Sequence, residues 1–151
     1  MEMNYYITEK LSDSQIANLM KLYAAEEWAK ERKLEGVVKM LKFCGVIALI
    51  DKNNHQMIAF ARYLSDTIYR AFVYDVIVAR DYRGLGYGRK IMEHLLEHEK
   101  IKNIERVELY CRDKNVAYYE KFGFVKVPDD SNFMRRTYQP ECKNINSNGC
   151  Q

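Results

Sequence analysis

One α/β (α+β) domain is predicted, built on a single mixed, mostly antiparallel central sheet with flanking helices, and three features of the chain predict it. Two β-favouring runs, Val46–Ile50 and Met57–Leu64, are joined by the polar turn Asp51-Lys52-Asn53-Asn54-His55, the pattern of a hairpin. A third run, Ala71–Ala79 (AFVYDVIVA), is almost continuously β-favouring, as in a central strand covered on both faces. A glycine-rich turn and an amphipathic helix follow at once, which brings parallel crossover character into an otherwise antiparallel sheet.

The elements follow in order. Asn4–Thr8 reads as a short strand, and Ser12 or Ser14 can cap a helix bearing Ile16, Leu19, Met20, Leu22 and Tyr23 at helical spacing. Trp28–Lys42 continues in helical character, broken at Gly36. After the three strands, a helix over about Gly88–Lys100 carries the apolar stripe Ile91, Met92, Leu95 and Leu96. Arg106–Cys111 alternates as a strand, and Asn115–Phe122 is a short helix closed by Gly123. Phe124–Val127 begins a last strand, giving the order β-α-α-β-β-β-α-β-α-β.

The 151 residues suit one domain, placed at 1–140, with the polar, Asn-rich segment 141–151 expected as a flexible tail. A chain of this size buries roughly 68–70% of its unfolded surface, so a core forms without disulfides or metals. Net charge is only +3, and Lys and Arg alternate with Glu and Asp, so no basic face for nucleic acid emerges. None of the four cysteines (Cys44, Cys111, Cys142, Cys150) forms a CxxC pair with metal-ligand partners, and no zinc site is expected. His94 and His98 lie four apart on a helix without a third ligand and are read as exposed. Met1–Lys10 has no apolar leader core and no run approaches a membrane span, so a cytoplasmic protein with reduced thiols is expected.

The chemistry is concentrated where the third strand leaves the sheet. In Arg83-Gly84-Leu85-Gly86-Tyr87-Gly88-Arg89, three alternate glycines sit between an apolar strand and a helix. Free N–H groups at a helix N-terminus hold phosphate well, and glycines let backbone approach the anion. A dinucleotide fingerprint would need its third glycine where Arg89 stands, and a Walker loop would need a hydroxyl after Gly88-Arg89-Lys90. Both nucleotide readings fail.

The segment does resemble the acetyl-CoA diphosphate loop of the GNAT superfamily of N-acetyltransferases, Gln/Arg-x-x-Gly-x-Gly/Ala. The resemblance implies acetyl-CoA as co-substrate, with Arg83, Gly84, Leu85, Gly86, Tyr87, Gly88 and Arg89 at its diphosphate and Val76, Ile77 and Val78 along its pantetheine arm. A second stretch, Asn115-Val116-Ala117-Tyr118-Tyr119-Glu120-Lys121-Phe122-Gly123-Phe124, is similar to the family's closing motif. By that similarity Tyr119 takes the place of the tyrosine that protonates the departing CoA thiolate, and Asn115 reaches the cofactor. Tyr118, placed here with the cofactor residues, leaves the register open by one.

The implied reaction is direct attack of a primary amine on the thioester within a ternary complex. Backbone N–H groups can stabilise the oxyanion and a tyrosine can supply the proton, so neither metal nor nucleophilic cysteine is needed. Asp75, an acid inside an apolar strand, must either pair with a basic or N–H group or line the cleft, and is assigned a catalytic, substrate-side part. Glu26, Glu27 and Trp28 fall in the region that covers the acceptor in this superfamily. Glu27 and Trp28 are therefore assigned to the amine, although Glu26 and Glu27 also suit a solvated helix surface. The partners expected are a small amine, neither nucleic acid nor membrane, with a homodimer left open. The competing reading is a non-catalytic acyl-CoA-binding regulatory domain of the same fold.

Overall fold

A computed structural model of the chain describes residues 4–128 and 130–138, so the expected tail lies outside the described residues. Its five strands, β1 (Tyr5–Thr8), β2 (Gly45–Asp51), β3 (Met57–Ser65), β4 (Arg70–Val78) and β5 (Arg106–Glu108), form one sheet in the order β1-β2-β3-β4-β5. The first four pair antiparallel, and β4 pairs parallel with β5. Helices α1 (Asp13–Ala24) and α2 (Leu34–Leu41) cover one face, and α3 (Tyr87–Glu97) covers the other; α4 (Val116–Glu120) follows β5.

Local signals set most boundaries. Ser12, not Ser14, caps α1: its hydroxyl accepts from the Gln15 N–H while the Gln15 side chain accepts from the Ser12 N–H. Gly36 does not break a helix but lies in the first turn of α2, where a missing side chain matters least, and residues 25–31 form turns instead. On the α1–α2 face Leu19, Leu22, Tyr23 and Val37 meet Val46, Ala48, Phe60 and Ile77. On the other face Ile91, Leu95 and Ile101 meet Ile47, Leu49, Ile58 and Val73.

Three expectations are corrected. The strands buried on both faces are β2 and β3, while β4 alternates between buried and half-open residues. The reason is coverage: α1 and α2 lie over β2 and β3 and leave the same face of β4 open. Residues 124–127 join no ladder, since β5 stops at Glu108 and offers no edge there, and Val125 and Val127 are exposed. His94 and His98 are not free at the surface. The Nε2 atoms of the two rings lie 2.8 Å from Tyr5 Oη and 2.9 Å from Glu9 Oε1, fastening the N-terminal segment to α3.

Candidate active site

The parallel pairing of β4 with β5 ends at Phe72 and Glu108, yet β4 runs on to Val78. Among the described residues no strand takes up that edge, so the two strands part and a cleft opens beside Val73–Val78. Opposite its other neighbour, β4 carries a bulge: the register with β3 shifts between Phe60 and Arg62. Asp75 occupies the extra position at φ 53°, a left-handed conformation that Asp tolerates better than β-branched neighbours would. The bulge turns both Tyr74 and Asp75 toward the α1–α2 face.

The glycine turn is built as an anion cradle. Gly84 and Gly86 have φ of 77° and 88°, so both need the left-handed region, and Gly86 is the N-cap of α3. No side chain caps that end, and α3 has no acidic residue in its first turn. A Cβ on Gly84 would meet nothing within 4 Å, so the approach is open. The first N–H groups of α3, at Tyr87, Gly88 and Arg89, are thus uncapped donors at the positive end of the helix dipole. A diphosphate fits this set of groups.

Arg83 is hydrogen-bonded within the protein. Its Nε donates to the Val78 carbonyl at 2.9 Å and its Nη2 to Glu26 at 2.5 Å, which ties the loop to the end of β4 and to the turn after α1. Tyr87 stands edge-on to Tyr5 and Tyr82, so its ring supports the loop from behind. Arg89 and Asn115 are exposed.

The two tyrosines of α4 differ in their hydrogen bonds. Tyr118 donates its hydroxyl to the Gly88 carbonyl at 2.6 Å and is committed to holding α4 on the first turn of α3. A Cβ on Gly88 would lie 3.0 Å from that same hydroxyl. Among the described residues no partner takes the Tyr119 hydroxyl, and none of its buried polar atoms lacks a contact, so that hydroxyl reaches open space. Burial pushes Tyr119 up to about 12, with smaller contributions from Tyr118 and Cys111, and burial likewise raises Tyr118 to about 12.

Asp75 lies at the centre of a charge cluster. Its carboxylate accepts from Arg32 Nη1 at 2.5 Å and Nη2 at 3.3 Å, from Arg62 Nε at 2.6 Å and from the Tyr23 hydroxyl at 2.9 Å. Burial alone would raise its pKa, but the hydrogen bonds and charges of Arg32 and Arg62 outweigh that and hold it below the usual carboxylate range. A carboxylate so engaged is a poor proton acceptor. This is the ion pair that was one of the two alternatives open to an acid in an apolar strand. Arg32 also packs 4.5 Å over the Tyr23 ring and 5.3 Å over Trp28, while Arg62 packs 4.7 Å over Tyr74. Trp28 joins the cluster by its ring. Glu27 does not: it is 84% exposed and pairs with Lys30 within its own turn.

Arg32, Arg62 and Tyr23 were not singled out from the sequence. The available signal was a pair of lone charges, Arg62 and Asp75, in adjacent apolar strands, which had to find each other.

The sequence pattern of the acetyltransferase (GNAT) family matches residues 15–124. The chain belongs to this family. It is 32% identical over 131 residues to the N-acetyltransferase ycf52 of Porphyra purpurea, covering 80% of this chain and 75% of that one. A shorter stretch of 72 residues is 38% identical to the chloroplastic serotonin N-acetyltransferase 2 of Oryza sativa, 48% of this chain and 36% of that longer protein. The fold is shared with a crystal structure of a GNAT-family protein from Xanthomonas campestris pv. campestris, with a TM-score of 0.74 and 23% identity over 88% of this chain and 94% of that one. In this GNAT domain, among the described residues, no three His, Cys, Asp or Glu side chains are placed to hold a metal, and no helix is long and apolar enough to cross a membrane.

Proposed function

We propose that this GNAT domain moves an acetyl group from acetyl-CoA to a primary amine by direct attack in a ternary complex. The observation that carries the reading is the uncapped N-terminus of α3 behind the left-handed Gly84 and Gly86, at the mouth of the cleft where β4 and β5 part. Acetyl-CoA supplies the activated acyl carbon and a thiolate leaving group. The protein's part is to hold and to protonate. Main-chain donors at Tyr87–Arg89 seat the diphosphate, and the free edge of β4 at Val76–Val78 lies along the arm. Negative charge developing on the carbonyl oxygen is met by N–H groups of that edge.

Tyr119 is the proton donor in this reading. Its raised pKa keeps the phenol protonated at neutral pH, and its hydroxyl has no competing partner among the described residues. Tyr118 serves instead as a strut between the helices. Asp75, whose charge the arginines hold in place, is not the base in this reading. We place the protein in the cytoplasm as a carrier of small-molecule chemistry, with no role on nucleic acid or membrane.

Release of free CoA thiol from acetyl-CoA is the test. Thiol release dependent on an added primary amine is expected. Tight acetyl-CoA binding with no release on any amine would leave an acyl-CoA-binding domain and refute acetyl transfer.

A further inference from the structure

The Asp75 cluster does more than neutralise a buried acid. Two guanidinium groups face one carboxylate, so the cluster carries one net positive charge at the floor of the open face. Arg62 spends only Nε on Asp75; among the described residues, neither of its Nη atoms donates to an oxygen. Its side chain is 13% exposed, its guanidinium lies over the Tyr74 ring with the Cys44 thiol beside it, and no fully buried polar atom is left without a partner. A guanidinium offers a planar fork matched to a carboxylate.

The register shows what adjoins it. On the face shared with α1 and α2, Arg62 stands opposite Tyr74, and one row along Leu64 stands opposite Phe72. Leu64 and Phe72, with Phe43 and Cys44, form an apolar part of a cavity of about 730 Å³ at that end of the sheet, whose lining also carries Lys42, Asp66, Arg70, Lys100 and Glu108. Strand rows on one face repeat about every 7 Å. On the other side of Arg62 lies the bulge at Asp75 and the β4 edge where acetyl transfer is placed. Reacting edge, Arg62 guanidinium and the cavity beside Leu64 and Phe72 thus follow one another along β3 and β4. Of the nearby carboxylates, Asp75 is held by Arg32 and Arg62, Glu26 by Arg83 and Glu108 by Arg70, while Asp66 Oδ1 accepts from the N–H groups of Ile68, Tyr69 and Arg70.

From this juxtaposition we infer that the acceptor is an amine bearing a carboxylate and an apolar body, in the pattern of an α-amino acid with a large apolar side chain. Its carboxylate completes the Arg62 fork, its side chain lies over Leu64 and Phe72, and its amine meets the β4 edge. The inference rests on the acetyl-transfer reading and narrows it. Polyamines and amino sugars lack one or both of the matching groups.

Matched pairs test it: L-phenylalanine against phenethylamine and L-tryptophan against tryptamine, with spermidine and glucosamine 6-phosphate as further arms, read as thiol release from acetyl-CoA. The acid should exceed its decarboxylated partner in kcat/KM by about tenfold or more, the least one charge-assisted hydrogen bond supplies. Arg62→Met should abolish that preference through KM for the amine, with KM for acetyl-CoA unchanged, and Arg62→Lys should restore part of it. The unsubstituted protein alone can refute the inference, whatever the variants do to folding. Equal or better turnover of the decarboxylated amines, of spermidine or of the phosphosugar would overturn it while leaving acetyl transfer intact. Thiol release with no amine at all would overturn both.

Discussion

The two ends of the cleft are made in different ways. The end proposed for the diphosphate is backbone: consecutive residues from Arg83 to Arg89, three glycines, and a helix terminus with uncapped N–H groups. The end proposed for the acceptor is side chain: Tyr23, Arg32, Arg62 and Asp75, drawn from α1, the segment after it, β3 and β4 into one hydrogen-bonded cluster. A main-chain cradle needs only a local pattern and tolerates change in most side chains around it. A side-chain cluster depends on every member, and its specificity can change with one substitution. The contrast fits a fold in which the cofactor is constant and the substrate is not.

The contrast breaks most directly at the tyrosines between the two ends. Tyr119→Phe should lower kcat by about 10²-fold or more while leaving acetyl-CoA affinity unchanged, because it removes a proton donor and little else. The alkaline limb of the kcat profile should appear only near pH 12, since burial holds Tyr119 at about 12. An undiminished kcat in the variant would remove Tyr119 from the reaction.

Next in size is the acceptor cluster. Asp75→Ala leaves Arg32 and Arg62 facing each other without their anion and should cost about 3–5 kcal/mol in urea unfolding. The folded-state pKa of Asp75 is lowered, so its contribution is whole above the unfolded value of ~3.9 and is lost as pH falls through the folded value. The variant should therefore show a shallower loss of stability on acidification below ~4. Equal acid limbs would mean that the cluster does not hold in solution.

Gly88→Val should weaken acetyl-CoA binding by about tenfold, roughly 1.4 kcal/mol, as the new side chain displaces Tyr118 and crowds the donors of the first turn. Tyr118→Phe should do least. It loses the 2.6 Å bond to the Gly88 carbonyl, about 1 kcal/mol of stability, with little effect on kcat. A large kcat effect there would exchange the parts assigned to Tyr118 and Tyr119.

Legibility in the sequence follows the same division. The hairpin, the crossover helix and the glycine turn are readable because each is set by neighbours in the chain: Gly86 at a helix start, Ile91, Met92 and Leu95 on one stripe. Asp75 announced a need for a partner but not its identity, since Arg32 and Arg62 are 43 and 13 residues away. The half-open face of β4 was misread because its run of apolar residues resembles a doubly buried strand; only the position of α1 and α2 decides which strand is left uncovered. Glu27 and Trp28, adjacent in sequence, point apart once residues 25–31 form turns rather than helix. The two tyrosines of α4 are alike by motif, and only the folded chain brings the Gly88 carbonyl, 30 residues away, to Tyr118.

A titration with CoA, followed by amide chemical shifts of the 15N-labelled protein, measures the cradle itself. Saturable shifts at Gly84, Gly86 and the amides of Tyr87–Arg89, with the Arg32–Asp75–Arg62 region less affected, are the expected result. If those glycine-turn amides stay fixed while CoA saturates its site and moves resonances elsewhere, the terminus of α3 does not hold the diphosphate.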